Sequence, residues 1–128
     1  ISELMEVSGK CAMKGKLNEK PDFTSLLSYG NESVMLDKLI TETEKEMQAI
    51  RDAERWKDLQ ELDALTHHLR SSWEILRADQ PLRKLYGLLH DEDTPNWEAI
   101  YNAVKTVSDM GLMIIAMAKE ERRKYDNG

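Results

Sequence analysis

The chain has little that could cross-link it, anchor it or bind polyanions. Cys11 is the one cysteine in 128 residues. No disulfide can close within the chain, and a reducing cytoplasm is the expected compartment. No apolar run approaches the ~20 residues that a membrane-crossing helix needs. Lys10, Lys14 and Lys16 lead into no apolar stretch, so a secretory leader is not expected. Basic residues are in deficit: 18 Lys and Arg face 24 Asp and Glu, for a net charge of −6. That balance argues against a nucleic-acid partner, which wants a basic face, and against direct contact with an anionic membrane. With 6 glycines and no Gly-x-Gly, the chain has neither a Walker loop nor a dinucleotide fingerprint. His-Glu-x-x-His is absent. The residues three before His67, His68 and His90 are Ala64, Leu65 and Gly87, so the Glu-x-x-His pattern of helical carboxylate metal sites is absent too. The start at Ile1 rather than Met is the form expected of a piece of a longer protein.

What is present is helix. Hydrophobic residues make up 41% and charged residues 33%, a globular balance in a chain long enough for one core. Residues 1–20 carry no sustained apolar period and read as a linker or N-terminal arm. From residue 21 to 128 the sequence reads as one helical domain. Pro21-Asp22 opens a short helix with Phe23, Leu26 and Leu27 on its apolar face, and Gly30-Asn31 breaks it. Leu36, Leu39, Ile40, Thr43, Met47 and Ile50 then recur at threes and fours, the mark of an amphipathic helix. Its acidic side, with Glu42, Glu44 and Glu46, reads as a solvated face. Leu59, Leu62, Leu65, Leu69, Trp73 and Leu76 stripe the next helix. Asp79 is placed to cap a further one, with Pro81 in its first turn and Leu82, Leu85, Leu88 and Leu89 inward. Thr94-Pro95 is expected to open the last helix, whose core face would be Trp97, Ile100, Tyr101, Val104, Val107, Gly111, Ile114 and Ala118. Met110, Met113 and Met117 read as core on that helix. No strand-like alternation persists. The expected architecture is all-α: an antiparallel up-down four-helix bundle with a short extra N-terminal helix.

One histidine stands on the wrong face for a core residue. With Leu69 at the centre of the buried stripe and ~100° per residue, Leu62, Leu65, Trp73 and Leu76 fall within about 40° of that centre. His67 falls at about 160°, pointing to solvent. Ser71 lies one turn beyond it, Asp63 and Glu74 flank the same outer ridge, Arg70 lies on its edge, and His68 points sideways toward a neighbouring helix. An exposed imidazole on a rigid helix, with a small neighbour and a cation in reach, suits a nucleophile that needs open approach. Histidine titrates near ~6.5, so the unprotonated ring is largely available at neutral pH. Arg70 has the geometry to bind phosphoryl oxygens.

The run Thr66-His67-His68-Leu69-Arg70-Ser71-Ser72 resembles the signature of histidine-containing phosphotransfer (HPt) domains: His, any residue, Leu, Lys, Gly, Ser or Ala, then a later Gly-Ala pair. His67 and Leu69 match. Arg70 stands in the Lys position, Ser71 in the Gly position, and Ser72 matches. Leu76 and Ala78 fill the later apolar and Ala positions, while Arg77 replaces the Gly of the pair. His68 fills a variable position. The similarity runs from residue 22 to about residue 123 and includes the short first helix, the Gly-Asn break and the helix before the motif.

The resemblance implies a phosphorelay domain, of the kind carried by bacterial hybrid sensor histidine kinases. His67 would accept a phosphoryl group from a receiver-domain aspartate and pass it on. Arg70 would contact phosphate and Ser71 would be the small neighbour, with Asp63, His68 and Glu74 meeting the partner. The domain would be a phosphocarrier rather than an independent enzyme. It would need no cofactor of its own, since Mg²⁺ belongs to the partner receiver. Its partners would be receiver domains of response regulators or of the parent kinase, and the isolated domain is expected to be monomeric. The setting would be cytoplasmic, in a free protein or in a membrane-anchored kinase. A histidine-kinase dimerisation helix fits less well: that family places Glu after the His and Pro five residues on, where this chain has His68 and Ser72. The alternative is an HPt-like helical adaptor or structural interaction domain in which His67 is not phosphorylated.

Overall fold

A computed structural model describes residues 20–90 and 95–126 of the chain. Its elements are α1 (Thr24–Leu27), α2 (Glu32–Arg55), α3 (Leu59–Ile75), α4 (Gln80–His90) and α5 (Trp97–Asp126). The fold is all-α, and its packing is that of an up-down bundle. α2 packs against α3 and α5, α4 packs against α3 and α5, and α1 caps α2. α3 and α5 are therefore diagonal partners. Most of the expected arm, residues 1–19, lies outside the described residues. None of the described helices is long and apolar enough to cross a membrane.

Each helix start has a local cause. Asn31 accepts from the Val34 N–H at 3.0 Å to cap α2, and Asp58 accepts from the Glu61 N–H at 3.1 Å to cap α3. Asp22 accepts from the Thr24 N–H at 2.9 Å ahead of α1. That backbone hydrogen bond is the main reason its carboxyl sits below the usual carboxylate range, with the Thr24 side chain and Arg77 adding to it. The Asp22 N–H donates to the Leu76 carbonyl at 2.8 Å, which ties the start of the domain to the end of α3.

The last helix begins later than Thr94-Pro95 implied. Thr94 lies outside the described residues, and Pro95 precedes the helix. Asn96 is the cap: its side chain accepts from the Ala99 N–H at 3.2 Å, and its carbonyl accepts from the Ile100 N–H at 2.9 Å. Asp79 stands just before α4, where its carboxylate accepts from Arg83 Nε at 2.7 Å.

Two helices end on non-glycine residues in the left-handed region, Lys57 at φ 55° and Arg77 at φ 57°. Both are Schellman turns. After α2, the Asp58 N–H donates to the Ala53 carbonyl and the Lys57 N–H to the Glu54 carbonyl. After α3, the Ala78 N–H donates to the Trp73 carbonyl and the Arg77 N–H to the Glu74 carbonyl. These turns satisfy carbonyls that the helix ends leave over, and they reverse the chain within a few residues.

The expected stripes form the core. Leu36, Met47, Ile50, Leu62, Leu69, Trp73, Leu82, Leu85, Ile100, Val107 and Ile114 are buried. Each is worth about 1.5–3 kcal/mol of apolar burial. Leu39, Ile40, Leu59, Leu65 and Leu88 are partly buried against that core. Of the methionines on α5, Met110 is buried while Met113 and Met117 pack on the core from its edge. Gly111 lets α5 approach α2, since a Cβ there would meet Met47 Sδ at 2.5 Å. Two residues depart from the expected faces: the Glu46 side chain, read as part of a solvated face of α2, is only 19% exposed, and Tyr101 is 51% exposed. Tyr101 lies roughly 110° from the centre of the buried α5 stripe at ~100° per residue, which puts it on the rim.

Candidate functional site

α3 carries the candidate site because its inward face is fully used. Leu62, Leu69 and Trp73 are buried, and the Thr66 hydroxyl donates back to the Leu62 carbonyl at 2.7 Å. The opposite ridge is therefore held by packing beneath it. His67 stands on that ridge, exposed, and has no hydrogen-bond or ion-pair partner among the described residues. Ser71, one turn on, is exposed beside it; Ser72 is also exposed but faces the groove toward α1 and α2, with Leu26 and Met35.

The two flanks of His67 differ. Toward α2, His68 Nε2 lies 2.9 Å from Glu46 Oε2, with the His68 side chain 72% exposed and that of Glu46 only 19%. Burial pushes the Glu46 carboxyl above the usual carboxylate range; His68 opposes that shift and the neighbouring Glu42 adds to it. His68 thus points sideways, as the helical wheel placed it, and it is spoken for by a carboxylate.

Toward α4, a chain of contacts returns to α3. Asp63 Oδ1 lies 2.7 Å from His90 Nε2. The His90 ring stacks on Tyr86 with centroids 4.3 Å apart and a 38° tilt. The Arg70 guanidinium lies over the other end of this array, 5.4 Å from the Tyr86 centroid. Arg70 Nε is 3.8 Å from Glu74 Oε2 and makes no hydrogen bond among the described residues. That separation is too long for a charge-assisted hydrogen bond, so the guanidinium is placed by stacking and charge rather than locked by a partner.

All six residues singled out from the sequence, Asp63, His67, His68, Arg70, Ser71 and Glu74, come together on one helix. Three others complete the surface and were not singled out: Glu46, Tyr86 and His90. Tyr86 and His90 are four apart on α4, off the Leu82–Leu85–Leu89 stripe. That spacing was the available signal, but a histidine in the last turn of a helix also suits the helix dipole, which gives it an ordinary explanation. Among the described residues no group of three His, Cys, Asp or Glu could hold a metal ion. Chemically, the surface offers an unencumbered imidazole, a stacked guanidinium one turn away, and one small hydroxylated neighbour, Ser71.

Comparison with protein-family models, with curated proteins and with solved structures finds no match to this chain.

Proposed function

We propose that this chain is an HPt domain that takes a phosphoryl group from a receiver aspartate onto His67 and yields it to another. The observation that supports this reading most is the exposed, unpartnered His67 in the middle of a rigid α3, with Arg70 held beside it. In the transfer, an unprotonated ring nitrogen of His67 attacks phosphorus in line. The P–O bond to the receiver aspartate breaks, the carboxylate leaves with the electron pair, and a P–N bond forms. The reverse sequence hands the group to a second receiver. Catalysis on this side is mainly positioning, because charge on the transferring oxygens needs only donors already in place. Arg70 supplies such donors, and the Ser71 hydroxyl is within the same turn.

The turn after α3 also agrees with the motif. The resemblance places Gly-Ala where this chain has Arg77-Ala78. Arg77 takes the left-handed conformation that glycine favours, and Ala78 is buried. The departure from Gly is thus a change of residue at a position whose geometry still suits Gly.

The test is incubation of the full chain with a panel of phosphorylated receiver domains. The proposal expects acid-labile, base-stable phosphate on the chain. No acceptance from any receiver would instead make it a helical adaptor.

A further inference from the structure

The seam between α2 and α5 holds a cleft of about 520 Å³ whose lining is cationic. Arg51 and Arg55 from the end of α2, Lys57 from its turn and Lys105 from α5 face one carboxylate, Glu54, for a local charge of +3 on a chain of net charge −6. Cations at a helix C-terminus complement the helix dipole, which is reason enough for Arg55 and Lys57. Lys105 sits inside α5 and has no helix end to serve. Elsewhere on the bundle several cations find carboxylates, as Arg83 does with Asp79 and Lys119 with Glu44, while Lys38 and Lys84 stand singly with no partner among the described residues; the cleft differs in gathering four cations around one carboxylate. In the cleft, Arg51 donates to Gln48 Oε1 at 3.1 Å instead, and Arg55 and Lys105 have no partner among the described residues. Lys57 is the exception, 3.7 Å from Glu54.

Two further features single out this seam. Ser108 Oγ is buried on the lining without a hydrogen-bond partner among the described residues, an arrangement that is unfavourable unless a donor or acceptor arrives. Tyr101, which the apolar pattern assigned to the core, instead lies half exposed on the same lining, over buried Val104. Unpaired guanidinium and ammonium groups, an unused hydroxyl and an open aromatic face form a complementary set for a small phosphorylated molecule with a planar ring. The cleft's size is in the range of small-molecule sites.

We propose that the α2–α5 cleft binds a ligand of the mononucleotide class, with phosphate on Arg51, Arg55 and Lys105 and the ring against Tyr101. The site is separate from His67: its lining comes from the end of α2, the turn after it and α5, and includes neither an α3 residue nor Glu46.

The test is an NMR titration of the full chain with AMP, adenosine and inorganic phosphate in parallel. AMP should shift the resonances of Tyr101, Lys105 and Arg55 saturably and more tightly than either fragment. Arg55→Glu with Lys105→Glu should weaken AMP binding by about tenfold or more, the loss expected of charge-assisted contacts. Lys84→Glu with Lys119→Glu, the same charge change outside the cleft, should not. Tyr101→Ala should weaken AMP several-fold and leave inorganic phosphate unchanged. Absence of saturable shifts with AMP would overturn the proposal. So would equal binding of AMP and inorganic phosphate, or shifts at these residues produced by polyglutamate and not by AMP, which would assign the surface to an acidic protein.

Discussion

Three histidines sit around one bundle surface and are held in three different ways. His67 has no partner among the described residues, His68 is paired with Glu46, and His90 is paired with Asp63 and stacked on Tyr86. The Glu46 pair has a thermodynamic signature. Burial raises the Glu46 carboxyl, so the folded state holds its proton to higher pH than the unfolded chain does. Between the ordinary carboxylate range near ~4.3 and the raised folded value, the folded state binds more protons and this group's contribution to stability falls as pH rises. Glu46→Gln removes that loss. Chemical denaturation across this range should show the variant gaining on the wild type as pH rises, with the gain levelling off once Glu46 is ionised in both states. A wild type that gains on the variant over that range would mean the His68 pair outweighs burial. The orientations of His67 and His68 were legible in the sequence because one helix with one apolar stripe fixes them. The partner of His68 was not, because a wheel for α3 carries no information about its register against α2.

At the scale of elements, α3 and the turn that ends it set the site. Arg77 in the left-handed region costs about 1 kcal/mol relative to glycine there. Arg77→Gly should raise stability by roughly 0.5–1 kcal/mol, read as a higher denaturation midpoint at unchanged slope. No gain would mean that the Arg77 side chain, which sits near Asp22, returns what its backbone loses. α4 contributes through Tyr86, whose ring holds the Arg70 guanidinium. Under the phosphotransfer reading, Tyr86→Leu should slow transfer several-fold and Tyr86→Phe should not. In an Arg70→Ala background Tyr86→Leu should add little, since both changes remove the same placement. Independent, additive losses in single-turnover transfer kinetics would show that Tyr86 acts through packing alone. Helix identity and the inward stripes were legible because the leucine period is strong. The start of α5 was not: Thr94-Pro95 and Asn96 are competing caps, and local preference did not favour the asparagine that lies nearer the apolar run. Tyr101 was misplaced because a half-polar ring at the edge of a stripe fits a core face or a rim equally well.

At the scale of the whole molecule, four helices close a core and leave the His67 ridge outward on α3. The bundle type followed from short connections between long amphipathic helices, whereas the diagonal relation of α3 and α5 required the packed structure. A site confined to one helix and its two neighbours needs no second copy to complete it, so the isolated chain is expected to sediment as a monomer at micromolar concentration. A stable dimer would place part of its function in an interface this account does not contain. The central claim is that His67, and not its neighbour, carries the phosphoryl group. The most direct measurement compares acid-labile, base-stable phosphate on wild type, His67→Gln and His68→Gln after incubation with a phosphorylated receiver that labels the wild type, with circular dichroism confirming the helical fold of each. No label is expected on His67→Gln, and label is expected to be retained on His68→Gln. Label surviving on His67→Gln and lost from His68→Gln would contradict it.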